Sequence, residues 1–89
     1  MLMMWELLSF IQGRTRSICL KELMNGPRTP GMISKSSGKN LSHISRALKE
    51  LRKKGLAECK NPKSAKNRFY QITKKGEELW ATVEKINRT

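Results

Sequence analysis

Ser42, His43, Ser45 and Arg46, followed along the same segment by Lys49 and Lys53, are the side chains in this chain best suited to chemistry. All are hydrogen-bond donors, acceptors or cations, and no nucleophile–base pair stands among them, so the chemistry they offer is recognition. Arg46 carries a planar fork of donors that matches guanine O6 and N7, while the hydroxyls and the imidazole can meet a base edge or a phosphate. A second group, Arg28, Lys39, Lys63, Lys66 and Arg68, supplies plain positive charge of the kind that neutralises backbone phosphates. Catalysis has little to build on. The chain contains no aspartate and no glycine-rich phosphate loop, and its seven acids are scattered glutamates.

Metal and cofactor chemistry is equally unsupported. The two cysteines, Cys19 and Cys59, are widely spaced and the single histidine is His43, so no ligand pattern or disulfide framework emerges. We expect no metal and no cofactor. Cys19 lies in an apolar stretch, where cysteine acts as a small buried hydrophobe. Cys59 stands beside Lys60, which favours a thiolate, so a redox role stays open beside simple packing.

The charge is unevenly distributed. Of nineteen basic residues, fourteen fall between Arg28 and Lys75, diluted there only by Glu50 and Glu58, and this stretch carries the whole net charge of +12. A basic concentration of this kind is the electrostatic footprint of a nucleic-acid-binding unit.

The elements that must position these residues can be read from apolar periodicity and breakers. Leu2–Ile11 reads as a helix that is apolar nearly all round, ended by Gly13. Thr15 is expected to cap a second helix through Met24, stopped by Asn25-Gly26-Pro27. Thr29-Pro30 opens a short third helix that stops at Gly38 and is weakened by Gly31. Asn40 caps a fourth, Leu41–Lys54, whose Ile44, Ala47, Leu48 and Leu51 follow helical spacing and leave Ser42, His43, Arg46, Lys49, Arg52 and Lys53 on the other face. Leu56–Lys60 and Arg68–Ile72 are expected strands around a polar basic loop, and Thr73 caps a last helix from Lys74 to about Asn87. The fold class is therefore mainly α with a small β-hairpin: a winged helix–turn–helix with an added helix at each terminus. We divide it into an N-terminal dimerisation helix (1–13), a DNA-binding core (14–73) and a C-terminal helix with a dimer contact (74–89).

The stretch Gly26-Pro27-Arg28-Thr29-Pro30, then Ile33, Ser37-Gly38, Leu41 to Leu51 and Lys54-Gly55-Leu56, resembles small archaeal winged helix–turn–helix transcriptional regulators, grouped with MarR-like and ArsR-like proteins. Tyr70 to Gly76 is similar to the strand-to-helix exit of that group, and the resemblance covers about residues 15–80. Two departures, Gly31 and Ser34 in place of good helix formers, point to a weaker helix at that place. The resemblance implies a commonly dimeric regulator of transcription that binds double-stranded DNA with the fourth helix in the major groove; the cysteine usage and the character of the N-terminal run point to a cytoplasmic setting. From the residues alone, the same helix reads bases with its N-terminal half, Lys49 and Lys53 touch backbone, and the loop reaches an adjacent minor groove.

The two terminal helices are too apolar for so small a domain, and Leu2, Trp5, Leu8, Leu79, Trp80, Val83 and Ile86 are the expected contacts of a homodimer. Neither a signal peptide nor a membrane span is expected at the apolar N-terminus, which is short and carries Glu6. With no room for a sensor domain, an effector would have to use a crevice between subunits. Two other readings remain open at this point: a winged helix that contacts protein, and a non-specific nucleic-acid binder. Few aromatics lie near the basic zone, which disfavours single-stranded RNA.

Overall fold

The computed structural model describes residues 4–63 and 68–87. Five helices and two strands follow one another as α1 (Met4–Ile11), α2 (Arg14–Leu23), α3 (Pro30–Ser37), α4 (Leu41–Lys53), β1 (Ala57–Cys59), β2 (Tyr70–Ile72) and α5 (Lys74–Asn87). This is the expected winged helix–turn–helix with a helix added at each end.

Helix starts and stops follow local chemistry, with one correction. Thr29 accepts from the Met32 N–H at 3.1 Å with Pro30 in the first turn, and α3 ends at Gly38, whose φ of 74° is the left-handed geometry glycine adopts freely. Asn40 caps α4 by accepting from the Ser42 N–H at 2.9 Å. Helix α2, however, starts one residue before Thr15. Its cap is Gly13, which makes no side-chain bond but accepts from the Ser17 N–H at 3.0 Å, so one glycine ends α1 and opens α2. Ser34 also proves useful in place: it donates to the Lys39 carbonyl at 2.6 Å and, with Ser37 accepting from the Lys39 N–H at 3.2 Å, ties down the turn between α3 and α4.

The wing is narrower than expected, and it has an extra partner. β1 and β2 pair antiparallel over three residues each, Ala57 opposite Ile72 and Cys59 opposite Tyr70. Arg28, before α3, adds a bridge to Tyr70, donating to its carbonyl at 2.9 Å and accepting from its N–H at 2.8 Å. The wing is thereby stitched to the start of the helix–turn–helix. At the base of the loop the Lys60 N–H donates to the Phe69 carbonyl and the Phe69 N–H to Asn61 Oδ1, both at 2.8 Å.

One core unites all elements. Leu20 and Leu23 of α2, Ile33 of α3, Ile44, Leu48 and Leu51 of α4, Leu56 before β1, Tyr70 of β2, and Leu79 and Trp80 of α5 are buried together with Leu7 and Ile11 of α1. Two of these correct the expected dimer surface. Leu79 is wholly buried and Trp80 nearly so, because the first turns of α5 pack onto the chain's own core. Gly76 makes that packing possible: a Cβ there would lie 2.7 Å from Ile72 Cγ1 and collide with the Leu56 carbonyl oxygen. Cys19 is buried as expected, and burial, assisted by Glu22, pushes its thiol up to about 12.

Candidate nucleic-acid interface

Helix α4 turns about 100° per residue, so burying Ile44, Ala47, Leu48 and Leu51 fixes where everything else on it must point. Directly opposite lie Ser42, Arg46, Lys49 and Lys53, all exposed, and none of them makes an ion pair among the described residues. The Ser42 hydroxyl donates to Asn40 Oδ1 at 2.6 Å. Its proton is thus committed to the cap and its free lone pairs can only accept, which suits the exocyclic amino group of adenine or cytosine.

His43 and Glu50 flank the stripe on the side of α2. His43, Arg46, Ala47 and Glu50 form one wall of a cleft whose other wall is Gly13, Arg14, Thr15 and Arg16. Glu50 is the one acid on α4, and Arg16 holds it: Nε donates to Oε2 at 3.0 Å and Nη2 bonds the same oxygen, while Nη1 donates to the Phe10 carbonyl at 3.1 Å. The Arg16 guanidinium also lies 4.4 Å from the Phe10 ring centroid. A half-exposed pair of this kind adds at most about 1 kcal/mol. Its larger effect is geometric, because the carboxylate is turned away from the stripe and neutralised.

The other flank faces the wing. Ser45 and Lys49 share an open groove with Thr29, Pro30 and Gly31 of the α3 start and with Arg68 and Tyr70 of the wing. Next to it Lys49, Arg52, Lys53 and Arg68 gather around Tyr70. The fold therefore brings Arg68, assigned from the sequence to the wing, to the recognition-type helix, and adds Arg52, which stands on the polar face of α4 and had no role assigned from the sequence. Arg14 was missed as well; its only signal is its position at the start of α2.

The remaining candidates are distributed unevenly. Lys63 is exposed in the wing loop, whereas Arg28 and Lys39 are half-buried. Arg28 carries a buried Nε with no hydrogen-bond partner. Leu2 and Lys66 lie outside the described residues, and for Trp5 only its place in α1 is described. The basic run is also not one continuous stripe. Lys54 Nζ sits 5.5 Å from the Phe10 ring centroid, and Lys75 Nζ donates to the Lys54 carbonyl at 3.2 Å, so Lys54 turns to α1 and Lys75 ties the start of α5 to the end of α4.

Away from this face, Leu8 and Ile11 of α1 and Val83 and Ile86 of α5 line a mostly apolar groove with Ser9, Gln12 and Ser17. Ile86 is 54% exposed. Among the described residues no cluster of ligating side chains could hold a metal, and no helix is long and apolar enough to cross a membrane. Cys59 is half-buried, its Sγ 3.8 Å from Asn61 Oδ1.

No family model and no curated protein matches the chain. Solved structures do. A MarR-family transcription regulator superposes with a TM-score of 0.76 at 23% identity, covering 84% of this chain and 51% of the other. The reduced form of the transcriptional regulator YodB from B. subtilis gives 0.82 at 22% identity over 99% of this chain and 90% of its own. Staphylococcus aureus MarR, solved with salicylate and kanamycin, gives 0.70 at 24% identity over 82% and 53%. The chain thus spans about half the length of the first of these and nearly all of the second. At these identities the likeness establishes the fold, and the fold is the winged helix of MarR-family structures.

Proposed function

We propose that the protein is a sequence-specific, double-stranded DNA-binding regulator of transcription, of MarR-like kind, and not an enzyme. The observation that carries this reading is the outward stripe Ser42, Arg46, Lys49 and Lys53, exposed, free of acids, and continued across Tyr70 by Arg52 and Arg68. A helix of this shape enters the major groove, where Arg46 and Ser42 meet base edges and Lys49 and Lys53 meet phosphates. Ser45 reads from the wing-side flank. His43, on the α2 side with Arg14, addresses the backbone. Lys63, Lys66 and Arg68 carry the wing to the neighbouring minor groove, and Arg28 and Lys39 add charge behind them.

The functional unit in this reading is a cytoplasmic homodimer. Leu8, Val83 and Ile86 supply its contact, to which Leu2 and Trp5 are assigned from the sequence alone; Leu79 and Trp80 support that surface from within. The terminal helices act as a dimer module and residues 14–73 as the DNA-binding unit. The archaeal affiliation implied by the sequence resemblance belongs to the same proposal.

The test is binding of duplex fragments, single strands and RNA across salt concentrations. A dimer that engages about eight phosphates should lose affinity with a log–log salt slope of about −7. Duplex preference with that slope supports the reading. Affinity that barely responds to salt, or an equal preference for single strands, overturns it.

A further inference from the structure

Leu41 is out of place by the logic of the rest of α4. The helix buries its other large apolar residues completely, yet Leu41, its first residue, is 52% exposed. Among the described residues none covers it. Its side chain lines the open groove between the α3 start and the wing, beside Ser45, Lys49 and Arg68. It stands one turn before Ser45 on the same flank and next to Ser42 on the outward stripe, at the end of α4 that penetrates deepest when the helix enters a groove N-terminus first.

Within the DNA-binding reading, on which this inference rests, we infer that Leu41 determines specificity by packing on the C5-methyl group of a thymine. The first two turns of α4 then present three chemically different probes. Leu41 selects the one base whose major-groove edge carries a methyl, Ser42 accepts from an amino group, and Arg46 donates to guanine. The methyl is the only apolar feature of that edge, so an exposed leucine among hydroxyls and cations has one partner there that it can desolvate without stranding a polar atom. Half-exposure in the free protein is what such contact requires, since the apolar area becomes covered only on binding.

The experiment replaces thymines one at a time by deoxyuridine in a duplex the protein prefers. This deletes the methyl and leaves every hydrogen-bonding atom in place. Loss of one buried methyl should weaken wild-type binding about fourfold at one position per half-site. In Leu41→Ala, and in Leu41→Gln as a polar check, the thymine and deoxyuridine duplexes should bind equally. Leu41 is exposed, so both variants should keep the wild-type circular dichroism spectrum. No methyl-sensitive position, or a methyl effect that persists undiminished in the variants, overturns the assignment while leaving DNA binding intact. Failure of the wild-type protein to bind any duplex overturns the DNA-binding reading itself.

Discussion

Gly76→Ala should be among the most damaging single-methyl changes available in this chain, although it puts the best helix former into a helix. Gly76 is the third residue of α5 and is buried against the chain entering β1. A methyl there would sit 2.7 Å from Ile72 Cγ1 and 3.2 Å from the Leu56 carbonyl carbon, and would overlap that carbonyl's oxygen. Ile72 could rotate, but the carbonyl cannot, because it already accepts from the Thr73 N–H at 3.1 Å. The start of α5 must therefore lift away. Two further ties resist that: Thr73 Oγ1 donates to the Gly55 carbonyl at 2.6 Å and Lys75 Nζ to the Lys54 carbonyl at 3.2 Å. Overpacking costs about 1–3 kcal/mol, and each weakened hydrogen bond adds about 1 kcal/mol. The gain in helix propensity returns only about 1 kcal/mol. The net is a loss of roughly 2–4 kcal/mol, a large part of the stability of a domain this size. In thermal unfolding followed by circular dichroism, Tm should fall by roughly 10–25 °C. A Tm within two or three degrees of wild type (about 0.5 kcal/mol) would refute the close approach of α5 to β1.

Gly31→Ala makes the opposite prediction. Apart from its chain neighbours and its own helix backbone, the added methyl would meet, among the described residues, Thr29 Oγ1 alone, at 3.9 Å, so the propensity gain is unopposed and Tm should rise by a few degrees. Cys19 and Cys59 should react differently with a thiol reagent at pH 8: one equivalent in the folded protein and two after unfolding, since only Cys19 is wholly buried. Burial, assisted by Glu22, raises the Cys19 thiol from 9.0 to about 12, so its contribution to stability is intact below pH 9 and is lost as pH rises from there to about 12. Cys19→Ala should flatten that alkaline decline, and an equal fall of urea-derived stability between pH 9 and 12 in both proteins would contradict it. Lys63→Ala should weaken all duplexes alike and make the salt slope shallower by about 1 for each wing that touches a phosphate.

What could be read in advance follows from how local each cause is. Caps and stops at Thr29, Gly38 and Asn40 depend on a few neighbouring residues, and the apolar spacing of α4 fixes its polar face without any tertiary knowledge. The Arg28–Tyr70 bridge was illegible because a one-residue pairing leaves no alternation to detect. The start of α2 was misplaced because a glycine that closes one helix can open the next through its carbonyl alone. Leu79 and Trp80 read as surface because an apolar stripe does not say whether its partner belongs to the same chain. At the candidate site, the outward residues of α4 were legible from periodicity. The gathering of Arg52 and Arg68 around Tyr70 was not, since it depends on where the wing folds back. Nor was the neutralisation of Glu50, which needs Arg16 from another helix.

The central claim is that the outward stripe of α4 reads duplex DNA through Arg46. Selection of bound duplexes from a random pool, carried out in parallel with the wild-type protein and Arg46→Ala, tests it most directly. The wild type should enrich a palindrome whose half-sites are about one helical turn apart and contain a required guanine. Arg46→Ala should lose the requirement for that guanine and bind the wild-type site roughly 5–150-fold more weakly, the equivalent of about 1–3 kcal/mol. An unchanged motif at unchanged affinity would contradict the placement of α4 in the groove.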